Sequence, residues 1–161
     1  MPYVKCVNVV YNFETDVSKL IAYTFNPKKT TYPVSSKNRL IGAAPDIILS
    51  HLPGSEKRIA ALFRGNHQHW DKLSGNLVHH TIISFEADEA ANPNLIWSLA
   101  EQIAQDYFSA GFFCCYAVHT NSSHLHIHFV IDNISYLNGR SFFIPGEMLT
   151  LQEKAGLLGQ L

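Results

Sequence analysis

The stretch "YAVHTNSSHLHIHFVIDN", Tyr116–Asn133, places four histidines within ten residues. His124, His126 and His128 alternate strictly with Leu125, Ile127 and Phe129. A period of two belongs to a β-strand, where residues i, i+2 and i+4 share a face. The three imidazoles are therefore expected on one side of a strand, with the apolar residues packing from the other. Just upstream, "FFCCYAVHT" reads as a buried strand, and "NSS" is short enough to join the two as a hairpin. His119 then reaches the same face from the neighbouring strand. Three imidazoles from two paired strands can converge on one ion and leave coordination positions open, which a catalytic metal site needs and a structural one lacks. By ligand type, imidazoles suit Zn, Mn, Co or Ni better than Mg.

The flanking sequence supplies elements for that hairpin to pack against. "YVKCVNVVYNF" (Tyr3–Phe13) predicts a strand, and a helix is expected from about Val17, capped by Thr15 or Asp16 and stopped at Asn26–Pro27. Residues 30–46 read as a loop and "DIILSHL" as a short apolar element. "SEKRIAALF" predicts a second helix capped by Ser55, "RGNHQHWDKLSGN" (Arg64–Asn76) a loop, and "LVHHTIISFEA" a strand. His67, His69 and Trp70 fall in that loop and read as surface. His79 and His80 point to opposite faces of their strand, so only one can join the histidine face. "NLIWSLAEQIAQDYF" carries Leu95, Leu99, Ile103 and Tyr107 on one helical stripe and closes at Gly111, and "GEMLTLQEKAGLLGQL" reads as a last helix. The order β-α-(α)-β-α-β-β predicts an α+β fold, helices packed on a mainly antiparallel sheet.

With 161 residues, 47% of them hydrophobic and 16% charged, the chain reads as one globular domain spanning 1–161. The first residues lack the apolar run of a signal peptide, and no stretch approaches the roughly 18 apolar residues of a membrane helix. Cys6, Cys114 and Cys115 form no CxxC pair and read as reduced core thiols of a cytosolic protein. Net charge is −1, yet Lys19–Arg64 holds eight basic residues against two acidic ones, which predicts one basic face.

Three stretches together resemble a known family. "VHTNSSHLHIHFVIDN" is similar to the third motif of conjugative relaxases of the mobilisation-protein type, a branch of the His-hydrophobic-His endonucleases. "SKLIAYTFNPKKT" resembles their first motif, a helix ending in the nucleophilic tyrosine and an Asn-Pro-x-Lys-Thr run, and "GNLVHHTIISFEADE" resembles the intervening strand. They occur in the family's order from about Val17 to Arg140. The resemblance implies Tyr23 as nucleophile, His119, His126 and His128 as metal ligands, and His80 and His124 as further catalytic histidines, either of them a candidate base. It also implies a ferredoxin-like or RRM-like two-layer sandwich. The activity implied is nicking and rejoining of single-stranded DNA at an origin of transfer, with Mg or Mn as the divalent ion. Lys28, Lys29, Lys37 and Arg39 would track the DNA backbone, and Phe25, Tyr32 and Trp70 are candidate stacking platforms for bases.

By the same resemblance the chain is bacterial, the N-terminal part of a longer protein, and works with an auxiliary DNA-binding protein and a secretion coupling protein. It departs from the family pattern at Asn121 and Ser123, where aspartates are usual, and at Asp132, where Asn is common. Two other readings use the same residues. A rolling-circle replication initiator would place its tyrosine downstream of the histidines, where Tyr136 is the candidate. A non-catalytic metal- or single-strand-binding module, or a phosphoesterase using metal-bound water, would make Tyr23 dispensable.

Overall fold

The computed structural model describes residues 2–7, 9–26, 55–86, 93–119, 124–142 and 147–158. Four strands, β1 (Tyr3–Cys6), β2 (Val78–Ser84), β3 (Cys114–His119) and β4 (His126–Asp132), form one antiparallel sheet in the order β1-β2-β4-β3. The described helices are α1 (Glu14–Thr24), α2 (Ser55–His69), α3 (Pro93–Ser109) and α4 (Glu147–Leu158). The class is the expected one, α+β with helices on an antiparallel sheet. Pro27–Gly54, including "DIILSHL", lies outside the described residues, as do Lys28, Lys29, Tyr32, Lys37 and Arg39.

β3 and β4 pair antiparallel, as expected, with His119 opposite His126 and Ala117 opposite His128. β4 inserts between β3 and β2, so His128 also faces Ile82 and Val130 faces His80. Every residue of β3 is buried, and so is every residue of β4 after His126. Such strands must be covered on both faces. One face, with Val78, Cys115, Ala117 and Val130, packs against Val17, Leu20, Ile21 and Phe25 around α1 and against Ile59, Ala60 and Phe63 of α2. The other face, with Ile83, Tyr116, Val118, Ile127 and Phe129, packs against α3 and α4 through Ile96, Ile103, Tyr107, Leu151 and Ala155. The helices thus make three layers, correcting the two-layer sandwich. The uninterrupted burial of β3 and β4 is the physical reason.

Three boundaries differ from expectation. β1 ends at Cys6: Val7 N–H still bonds the His80 carbonyl at 2.9 Å, but Val9 N–H then turns back onto the Val7 carbonyl. α1 begins at Glu14 after extended Phe13 (φ −127°, ψ 155°), and the Asp16 carboxylate reaches back to the Phe13 N–H at 3.1 Å. Asp16 therefore serves the helix start from inside the first turn instead of capping it. α2 runs on through Gly65 to His69, where a loop was expected. An interior glycine costs about 1 kcal/mol relative to alanine, and burial of Phe63, Asn66 and His67 on either side offsets it. The helix stops when Asp71 turns left-handed at φ 55°.

The turn after β4 contains Gly139 at φ +73°, and a Cβ there would lie 2.6 Å from the Trp70 ring. Both the backbone conformation and the ring exclude a side chain. Gly139→Ala is expected to destabilise the fold by about 2 kcal/mol or more, read as a lowered midpoint in urea with an unchanged slope.

Candidate active site

The histidine face gathers where β3 ends and β4 starts, beside the last turn of α1. His119 and His128 are buried and His126 is half-buried. Their ring centroids stand 3.9 Å (His119–His128), 5.1 Å (His119–His126) and 5.0 Å (His126–His128) apart. One nitrogen from each ring lies within 4.8 Å of the others, a spread that one cation can draw together.

The remaining ring nitrogens are held by the protein. His119 Nε2–H donates to the Thr24 carbonyl at 2.7 Å, and His126 Nδ1–H donates to the His124 carbonyl at 2.9 Å. His128 Nδ1 pairs with His80 Nε2 at 2.9 Å. Each of the three rings offers one nitrogen as a possible ligand to a common ion. Fixing the tautomer and tilt of ligating imidazoles is what outer hydrogen bonds do in metal sites. The donor set therefore fits one divalent transition ion.

His80 is buried, and burial, followed by the nearby His119 and His79 rings, pushes its pKa down to about 4. One of the two rings donates to the other across the His80 Nε2–His128 Nδ1 contact; were His128 to hold an ion through its other nitrogen, its Nδ1–H would be the donor. So weak a base, already bonded to His128, takes a proton from substrate or tyrosine poorly. Its geometry is that of a support for His128.

His124 stands just before β4 and is exposed, so it does not continue the alternating face as a strand residue. Its carbonyl holds His126, and its ring Nδ1 lies 3.2 Å from the Phe85 carbonyl. His79 faces the opposite side of the sheet, as expected, stacked on Phe142 and 3.2 Å from Glu147. Cys6 beside it is exposed, which corrects the reading of all three cysteines as core residues; Cys114 and Cys115 are buried, and all three are free. Asn121 and Ser123 lie outside the described residues.

Tyr23 projects from the last turn of α1 toward this cluster. Its ring centroid is 5.8 Å from those of both His119 and His128, edge-on to each, and the residue is 44% exposed. The next residue, Thr24, supplies the carbonyl that anchors His119. Phe25 is buried in the core and is no stacking platform.

His67 is fully buried and not the surface residue expected. Its Nδ1 lies 2.6 Å from Glu14 and its Nε2 2.7 Å from Asp132. Burial works against a charged ring, but the bonds and charges of Asp132 and Glu14 outweigh it and raise the His67 pKa. A raised folded-state pKa stabilises the fold fully below the unfolded value near 6.5, and that contribution is lost as pH climbs through the folded value. Thermal stability is expected to fall as pH rises from about 6.5 through the folded value, and to lose this slope in His67→Gln, measured by melting at stepped pH. Spacing gave no hint of the cluster, whose members lie 53 and 65 residues apart. The one available signal was Asp132, a carboxylate inside a buried strand, which demands a partner.

Residues 43–152 match the family model described as "Relaxase: MobA/VirD2-like, nuclease domain". The chain belongs to this relaxase family. The match spans two thirds of the chain and contains His80, His119, His126 and His128, while Tyr23 lies upstream of it. No curated protein and no solved structure matches. This relaxase is accordingly a DNA-nicking nuclease domain of the His-hydrophobic-His superfamily, whose members use a divalent metal. Among its described residues no helix is long and apolar enough to cross a membrane.

Proposed function

We propose that this relaxase nicks and rejoins one DNA strand at an origin of transfer through a covalent link between Tyr23 and the 5′ phosphate, mobilising a plasmid or conjugative element. The observation that carries the reading is the approach of one half-exposed phenol to two of the three clustered imidazoles. Tyr23 Oη would attack the scissile phosphorus, forming a P–O bond as the bond to the 3′ oxygen breaks. The phenolic proton leaves to solvent, which reaches the exposed residue, and the departing 3′ oxygen takes up a proton to become a hydroxyl. Because one ester replaces another, the 3′ hydroxyl can reverse the step and reseal the strand.

Charge neutralisation on the phosphoryl oxygens is the chemistry that a divalent ion would supply when held by His119, His126 and His128. By family that ion is Mg or Mn; by ligand type Zn, Co or Ni also fits. His80 and the Thr24 and His124 carbonyls keep the three rings aimed. His124, exposed just before β4, is proposed to act on the substrate beside the metal ligands. Lys28, Lys29, Lys37 and Arg39 are proposed to follow the DNA backbone, and an auxiliary DNA-binding protein and a secretion coupling protein in the bacterial cytoplasm are the partners this role calls for.

The replication-initiator reading is disfavoured by Tyr136, whose hydroxyl donates to the Phe108 carbonyl at 2.7 Å while its ring stacks on Phe108 and Phe113. The test is incubation with a single-stranded oligonucleotide from the element's origin plus Mn, read on a denaturing gel. A DNA–protein adduct supports the proposal. Cleavage without an adduct would replace it with hydrolysis by activated water, and binding without cleavage with a non-catalytic module.

A further inference from the structure

Glu14, His67 and Asp132 form a second titratable cluster that nicking chemistry does not use, with Glu14 half-buried at its outer end. His67 bridges the two carboxylates with one nitrogen each, at 2.6 and 2.7 Å, and is fully buried, as is Asp132. Asp132 is further fixed by Asn66 Nδ2 at 2.9 Å and by the Ile134 N–H at 3.0 Å, and Asn66 also donates to the Ile134 carbonyl at 2.9 Å. The charged groups acting on the His67 ring are Asp132 from β4 and Glu14 from α1.

The three residues sit on the three elements that frame the active site. α1 carries Glu14 at its start and Tyr23 in its last turn. Nine residues at 1.5 Å each put about 14 Å of helix between them. β4 carries Asp132 four residues beyond His128. Four residues at roughly 3.4 Å each also make about 14 Å. Two arms of equal length thus leave one anchoring point and end at the two halves of the reacting centre, the phenol and the imidazoles. α2 supplies the bolt.

We infer that the Glu14–His67–Asp132 bridge is a positioning clamp, setting where α1 lies on β4 and so where Tyr23 meets the histidine cluster. The inference rests on Tyr23 being the nucleophile. Buried ion pairs give little net stability over apolar packing, and their best-attested use is to fix register. Apolar residues Val17, Leu20 and Ile21 bind α1 to the sheet but permit sliding; hydrogen bonds to both ring nitrogens do not. A displacement near 1 Å at a reacting group can cost about 10²-fold in rate.

The test uses Mn(II) bound at the histidine cluster as a paramagnetic probe of Tyr23. The chain is labelled with 3-fluorotyrosine, and the Tyr23 fluorine signal is identified by its loss in Tyr23→Phe. Mn(II) is expected to broaden that signal strongly in the native protein and several-fold less in Glu14→Gln. The single-turnover rate of adduct formation should fall ten- to hundredfold in Glu14→Gln, with KM for the oligonucleotide within twofold.

Asp16→Asn, at the same helix end but outside the clamp, should leave both readouts unchanged. Asp132→Asn provides a second route if Glu14→Gln does not fold. An unchanged Tyr23 line and rate in a folded clamp variant would overturn the inference, and so would equal effects in Asp16→Asn, which would mean simple fraying of the helix. A native protein that forms no adduct would sink the nucleophile reading instead, while the fluorine signal still reports whether the clamp sets the position of Tyr23.

Discussion

Tyr23→Phe is expected to abolish the covalent DNA adduct, lowering strand cleavage by on the order of 10³-fold or more, while metal and oligonucleotide affinities stay near native. The substitution removes one oxygen. The ring keeps its edge-on contacts with His119 and His128, 5.8 Å between centroids, so the cluster should hold its shape. The loss therefore reports on the nucleophile and not on folding. Measured by gel for the adduct and by calorimetry for the metal, the two quantities must separate. Persistent cleavage with native-like rate in Tyr23→Phe would assign the cut to activated water, and adduct formation in that variant would assign the link to another residue.

What made this site legible beforehand was periodicity. Alternation in "HLHIHFV" put His126 and His128 on one face, and the pairing of two apolar runs brought His119 to that same face. Each is a local rule of backbone geometry, and each held. The strand rule was over-extended at His124, because alternation in a sequence does not say where hydrogen bonding to the neighbour begins. Layering was misjudged since apolar runs such as "FFCCYAV" are compatible with burial on one face or both, and only tertiary packing decides.

The loop expected from Arg64 onward is helix as far as His69 for a related reason. Glycine and a polar composition argue for a loop, but Asn66 and His67 are polar residues consumed inside the core by Asp132 and Glu14. Partners so far apart in sequence leave no periodic trace. Tyr23 is the converse case: it lies outside the segment matched by the family model, and only folding brings it to the histidines.

His128→Ala is expected to lower divalent-metal affinity by at least a few hundredfold and cleavage with it, whereas His80→Ala should cost about 10- to 100-fold in affinity and be partly rescued by excess metal. The contrast follows from position. His128 is one of the three rings that offer a nitrogen to a common ion and stacks on His119 at 3.9 Å, so its removal takes away a donor and the neighbour that holds another. His80 offers no atom to that centre; its Nε2 lies 2.9 Å from His128 Nδ1, and what it contributes is the tilt and tautomer of that ring. Titration of Mn or Co into both variants, followed by cleavage at saturating metal, separates the roles. If His80→Ala loses metal as completely as His128→Ala, His80 is itself a ligand and the coordination sphere must be redrawn around four imidazoles. If His128→Ala binds metal normally, the cluster is not the metal site, and the phenol at 5.8 Å faces only a polar surface.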